Sequence, residues 1–260
     1  MAKSFRSEQK SMFFNLSLKS ISILAVLGLI TTPMVILAPP SHSQERQIIT
    51  AEQRQELIAT SEQILSLINA GQYAAALDYL VPESRDYITP EQLKSIWENE
   101  IIAKDGAFEE VVTAKVIDVV NADIVILNAK FANISENIQF IFNKEQQLIG
   151  FGVPNKQSID AIVTSFINNL ATGEYGLARG YLSSLFKTEI FAAKLEKEWQ
   201  EELKKYGNFK EIKNIVVRPG TTLSEPDVAI VTLEFERGND SYFIFFDNQT
   251  AIINIDFVTD

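Results

Sequence analysis

The chain has 260 residues, with 23 basic and 34 acidic side chains, one histidine and no cysteine. That inventory excludes disulfides, thiolate zinc sites, cysteine nucleophiles and lipid attachment through cysteine. The negative balance of −11 repels phosphate backbones and anionic membranes, so nucleic acid is not an expected partner.

The first segment reads as a targeting signal rather than as part of the fold. Lys3, Arg6, Lys10 and Lys19 precede the apolar run from Ile21 to Ala38, and Ser41 and Ser43 stand at the −3 and −1 positions of a cut before Gln44. A positive start, an apolar core and a small-x-small site are the parts of a secretory signal peptide over residues 1–43. They predict a secreted or periplasmic protein, and a membrane-anchored one if the segment stays uncleaved. Cleavage removes four basic residues and one acidic residue, so the net charge moves from −11 to −14. It also removes His42, the single histidine, and with it every histidine triad or imidazole metal site.

Helix signals come next. Thr50 and Gln53 form a capping box; Leu57, Ile64, Leu65 and Ile68 mark one helical face, and Gly71 stops it. A second short helix carries Ala75, Leu77 and Tyr79 and is predicted to end near Pro82. A third opens at Thr89-Pro90 with Gln92 as its capping partner, presents Leu93, Trp97 and Ile101, and stops at Gly106. The period then changes to two: Val125, Leu127, Ala129 and Phe131 alternate, and Ile138, Phe140 and Phe142 lead through the turn NKEQQ into LIGFGV.

After Val153-Pro154-Asn155 the same order returns. Gly71, Tyr73, Ala76, Tyr79, Leu80, Leu93, Trp97 and Glu100 match Gly173, Tyr175, Ala178, Tyr181, Leu182, Leu195, Trp199 and Glu202 at a constant shift of 102. Gly106 and Gly207 match with a slip of one residue. Shared order over this length means a duplicated domain. Helical hairpin repeats also use Gly-x-Tyr-x-x-Ala, but they recur about every 34 residues and hold no strands. The reading is α+β: two tandem cone-like domains, residues 48–154 and 157–260, each with three helices packed on a curved antiparallel sheet.

On Gly71, Tyr73, Trp97, Gly106 and Phe108, and on Gly173, Tyr175, Trp199, Gly207 and Phe209, the two units resemble the domain-of-unknown-function family 3887. The resemblance implies a fold similar to the nuclear transport factor 2-like cone, and it brings no catalytic residues with it.

The site candidates follow from the repeat. Trp97 and Trp199 are placed to wall an apolar pocket inside each cone, with a hydroxyl from Tyr73 or Tyr175; the competing reading makes all four core residues. Glu100 and Glu202 recur at i+3 from the tryptophans, where a carboxylate beside an indole has a raised pKa or simply sits on a solvated helix rim. No metal ligand set and no cofactor motif is present in the sequence. The expectation is an extracytoplasmic non-catalytic binding module for a protein or cell-envelope partner. The alternatives are a small apolar ligand-binding protein with one pocket per domain, and a carboxylate-dependent isomerase or hydrolase. Arg179 stands where the first copy has Leu77, and this charge predicts that one copy alone keeps an open pocket.

Overall fold

A computed structural model describes residues 49–152, 156–222 and 225–257. The signal-like segment 1–43 and the junction 153–155 lie outside the described residues. Among the described residues no helix is long and apolar enough to cross a membrane.

Each unit is a helical layer on a four-stranded antiparallel sheet with strands in sequence order. In the first, α1 (Ala51–Asn69) begins at the capping box, where Thr50 Oγ1 accepts from the Gln53 amide at 3.2 Å and Gln53 Oε1 from the Thr50 amide at 2.9 Å. These bonds satisfy amides that would otherwise be unpaired at the helix start, worth about 1 kcal/mol. The short α2 (Tyr73–Leu77) follows, then α3 (Pro82–Arg85). A longer rod is built from α4 (Pro90–Ser95), a π-helical segment (Ile96–Ile102) and α5 (Ala103–Asp105), and ends at Gly106 with φ +84°. The sheet is β1 (Phe108–Asp118), β2 (Asp123–Phe131), β3 (Ser135–Phe142) and β4 (Leu148–Gly152).

The second unit repeats this as α6 (Ile159–Ala171), α7 (Tyr175–Gly180), α8 (Ser184–Lys187) and α9 (Ala192–Tyr206). Its sheet is β5 (Phe209–Arg218), β6 (Asp227–Phe235), β7 (Gly238–Phe246) and β8 (Ile252–Phe257). Compared with the three helices expected from periodicity, each unit adds a single helical turn, α3 or α8. A four-residue helix is too short to show a period. It exists because the chain is first pinned to the last strand: Val81 N–H donates to Leu148 O at 2.9 Å, and Ser183 N–H to Ile252 O at 2.8 Å.

The cores lie between the layers. Val125, Leu127, Ala129 and Phe131 are sealed beneath Leu57, Ile64, Leu93 and Trp97; Ala229, Val231, Leu233 and Phe235 do the same under Ile162, Phe166, Leu195 and Trp199. Each large side chain so buried contributes about 1.5–3 kcal/mol. The two units also hold each other. Phe191 packs on a small apolar cluster of Ala122, Ile124, Ile141 and Ile149 on the first sheet, and Tyr87 Oη donates to Glu196 Oε2 at 2.7 Å. Gly176 lies against the first unit's backbone so closely that a Cβ there would stand 1.8 Å from Tyr87 O.

Candidate functional site

A cavity of about 530 Å³ occupies the open end of the first unit and is shared with the second. Its inner wall is Leu65 and Ile68 from α1, Leu93 and Trp97 from the long rod, and Ile138, Phe140 and Phe151 from β3 and β4. Its far wall is supplied by α7 and α8 of the second unit, through Leu177, Arg179, Tyr181 and Lys187. Ile96, Trp97, Glu100 and Ile101 line it from within the π-helical segment. The size falls in the range of small-molecule sites, about 300–1,000 Å³.

The second unit has the equivalent space, and it is filled. Ile167, Leu170, Leu195, Trp199, Tyr242, Ile244 and Ile255, the counterparts of those inner-wall residues, surround a void of about 20 Å³. Tyr242 replaces Ile138 and Phe166 replaces Ile64, pushing two rings into the interior, while α9 runs as ordinary α-helix. Of the two expectations, a pocket in each domain or in one copy alone, the geometry among the described residues matches the latter: the first domain holds the cavity, walled in part by the second.

The residues singled out from the sequence therefore divide. Trp97 is buried, tilts against Phe131 at 5.9 Å between ring centroids, and forms cavity wall; Glu100 reaches the same cavity from an exposed rim position. Tyr73 does not line the cavity: its hydroxyl donates to Glu98 Oε1 at 3.1 Å, and burial together with that carboxylate raises its pKa. Tyr175 is core, its Oη accepting from Gln200 Nε2 at 3.2 Å. Trp199 is core as well, between Phe209 and Phe235, with its buried indole N–H unpaired.

Glu202 meets the electrostatic half of its expectation. Burial, then a hydrogen bond and repulsion from Asp240, raise its pKa to about 7, and Tyr242 Oη donates to Glu202 Oε2 at 3.2 Å. It stands beside the filled cone, not the hollow one. The perturbed carboxylate and the cavity are thus in different units.

Two cations outside the site candidates also line the cavity: Arg179, noted in the sequence only as a charge on α7, and Lys187, which was missed. Arg179 crosses to the first unit, where Nη1 donates to Ile149 O at 3.0 Å, while Nε donates to Ile190 O and Nη2 to Lys187 O, both at 2.8 Å. It is 7% exposed, and burial lowers its pKa to about 10. Lys187 is 4% exposed and lines the cavity, with Nζ 3.1 Å from where a Cβ would stand on Gly152 of β4. Burial first, and then the charge of Arg179, lower its pKa to about 7. Two of the acids on the cavity wall are held by a lysine: Lys156 Nζ lies 2.7 Å from both Asp105 Oδ1 and Glu136 Oε1. Among the described residues no group of three or more His, Asp or Glu is placed to hold a metal ion.

The available sequence signal for Arg179 was its replacement of Leu77 on a short helix. Leu77 belongs to its own core, so a charge at that position has either to unfold the turn or to leave the domain. It leaves the domain. Lys187 stands where the first copy has Arg85, which is half-exposed and 3.7 Å from Asp78, so sequence gave it no distinction from a surface lysine.

A family model described as "Protein of unknown function (DUF3887)" matches the chain twice, over residues 61–151 and 163–255. The chain belongs to this family. The two DUF3887 matches coincide with the two helix-then-sheet units, and the tandem repeat is therefore a pair of DUF3887 domains. No curated protein and no solved structure matches the chain, so the expected similarity to the nuclear transport factor 2-like cone finds no support from a structural neighbour.

Proposed function

We propose that this DUF3887 pair is an extracytoplasmic, non-catalytic binding protein that holds one small, largely apolar molecule in the cavity of its first domain. The single observation behind the reading is the contrast between a cavity of about 530 Å³ walled by Trp97, Phe140 and Phe151 and its filled counterpart of about 20 Å³. Maintaining an apolar hollow sacrifices packing that the second copy retains, which suits a domain whose interior is completed by a ligand. The extracytoplasmic placement rests on the signal-like segment ahead of Gln44.

A binding role is favoured over carboxylate-dependent catalysis because Glu202 and Glu198, the carboxylates whose pKa is raised among the described residues, both sit in the filled domain. A purely surface-mediated partner role has less behind it. The large exposed apolar side chains are spread over both units: Val112 and Ile117 on β1, Val120 and Ile134 in the turns that flank β2, Leu185 on α8, Val216 on β5 and Ile253 on β8.

The reading is tested with Nile red, a neutral apolar dye, titrated into the full chain. Saturable one-to-one binding with energy transfer from Trp97 is expected, lost in the double variant Ile64→Phe/Ile138→Tyr, which copies the residues that fill the second domain. Dye binding that survives this filling, or none in the parent protein, would count against a ligand in the first cone.

A further inference from the structure

We infer that the cavity ligand is an amphiphile with one carboxylate head, the head set against Lys187 and Arg179 and the chain laid along the Trp97 wall. The inference rests on the ligand-binding reading above and adds the ligand's chemical class. Its basis is a buried cation beside an apolar hollow. Lys187 is enclosed, borders the cavity, and has Arg179 as the one charge acting on it among the described residues. Burial and the charge of Arg179 act on its amine, and no carboxylate among the described residues offsets them. An ammonium taken out of water without a counter-ion is among the most unfavourable arrangements in a protein interior. An arriving anion offsets that penalty, and a second cation alongside strengthens the attraction.

Arg179 contributes direction as well as charge. Three of its donors are tied to the carbonyls of Ile149, Lys187 and Ile190, which fixes the guanidinium plane; a guanidinium carries five N–H groups, so two are left on a group that lines the cavity. β4 makes room for both cations. Gly150 and Gly152 alternate on the strand, and Cβ atoms there would lie 3.0 Å from Arg179 Nη1 and 3.1 Å from Lys187 Nζ. Their counterparts in β8 are Asn254 and Asp256, both with side chains.

The other charges on the wall do not serve as internal counter-ions. Asp105 and Glu136 are held by Lys156, and Glu100 is on the exposed rim. The head is a single carboxylate because the enclosed charge to be matched is one free ammonium plus a guanidinium already bound to carbonyls. The inner part of the wall, with Leu65, Ile68, Leu93 and Phe140, offers apolar contact and suits an alkyl chain.

The test compares three probes with one chain and different heads, dodecanoate, dodecanol and dodecylammonium, titrated calorimetrically into the full chain and into Lys187→Met. Dodecanoate is expected to bind the parent protein at least tenfold tighter than dodecanol, with dodecylammonium weakest. In Lys187→Met the preference for acid over alcohol is expected to collapse while dodecanol binding is retained. Equal affinity for acid and alcohol in the parent protein, or an acid preference that survives Lys187→Met, would overturn the head-group assignment and leave the apolar pocket standing. If none of the three probes binds, both the assignment and the pocket reading fall. The parent-protein series decides the question by itself should the variant not fold.

Discussion

The long helical rod of the first domain passes through a π-helical segment at Ile96–Ile102, whereas its counterpart in the second domain is unbroken α-helix from Ala192 to Tyr206. Both rods start and stop at equivalent places, but the shift between copies is 102 at Leu93 and Trp97 and 101 at Gly106. The first rod therefore holds one more residue between fixed ends, and a turn of i→i+5 bonding is the way a helix absorbs one. That turn carries Trp97, Glu100 and Ile101, all on the cavity wall. In the second domain the turn is regular, Tyr242 and Phe166 fill the interior, and the outward faces of α7 and α8 are turned to the neighbour. The duplication has diverged in kind: one copy supplies a hollow, and the other supplies a packed scaffold with two cations at the hollow's edge.

The two domains differ most in tolerance at Gly176. In the first copy the matching residue is Ala74, which is exposed, so Ala74→Gly is expected to cost only about 0.5–1 kcal/mol in helix propensity. Gly176→Ala places a Cβ 1.8 Å from Tyr87 O, and its expected cost is about 3 kcal/mol or more, or a displacement of one domain from the other. Urea midpoints of the two variants measure the asymmetry directly; equal midpoints would mean that α7 does not seat on the first domain as described.

Deleting Asn99, an exposed residue of the π-helical segment, sharpens the comparison further, because it gives the first rod the length of the second. The expected result is a regular α-helix, a reshaped Trp97 wall and Nile red binding weakened by tenfold or more. Unchanged binding would separate the cavity from the π turn. Lys187→Met comes next, as a gain. The amine's folded pKa is depressed from 10.5 to about 7. Stability linked to it is complete above 10.5 and is lost as the pH falls through about 7, where the buried charge appears. Methionine removes that penalty, and the apo protein is expected to become about 1–4 kcal/mol more stable at pH 7 while its stability loses slope between pH 7 and 10.5. Thermal denaturation across that window reads both effects.

The duplication, the capping boxes and the alternation of the strands were legible because each is carried by local residue types at fixed spacing. So was the one-residue slip at Gly106, although nothing in the spacing says that the extra residue becomes a π turn beneath a cavity. The stripes with Leu93 and Leu195 left Trp97 and Trp199 alike between pocket wall and core; that they divide was not legible, since the decision belongs to Tyr242 and Phe166 on other elements. Tyr73 and Tyr175 follow the core reading over the pocket one for a related reason. Their hydroxyls find Glu98 and Gln200, 25 residues on, and a partner at that separation cannot be seen in a helical period. Arg179 was legible as a charge at a core position without its destination, and Lys187 was least legible of all, because an outward helical position looks solvated until another domain covers it.

The smallest expected effect concerns Glu202, where the two copies carry the same residue in unlike surroundings. Glu100 faces the cavity rim; Glu202 is half-buried, hydrogen-bonded to Asp240 and Tyr242, with its pKa raised from 4.5 to about 7. A carboxyl whose folded pKa is raised favours the protonated folded state. The associated stability is complete below 4.5 and is lost as the pH rises through about 7, the window in which the unfolded chain has already released its proton. Glu202→Gln keeps an acceptor for the Tyr242 hydroxyl and removes the titration. The variant is therefore expected to gain on the parent protein by about 1 kcal/mol at pH 8, after allowance for solvent screening of a half-exposed group, and to show no such gain at pH 4. Urea midpoints at the two pH values check it. A gain of equal size at both would trace the effect to packing instead of the proton, and Glu202 would then be an ordinary helix residue like its counterpart on the rim.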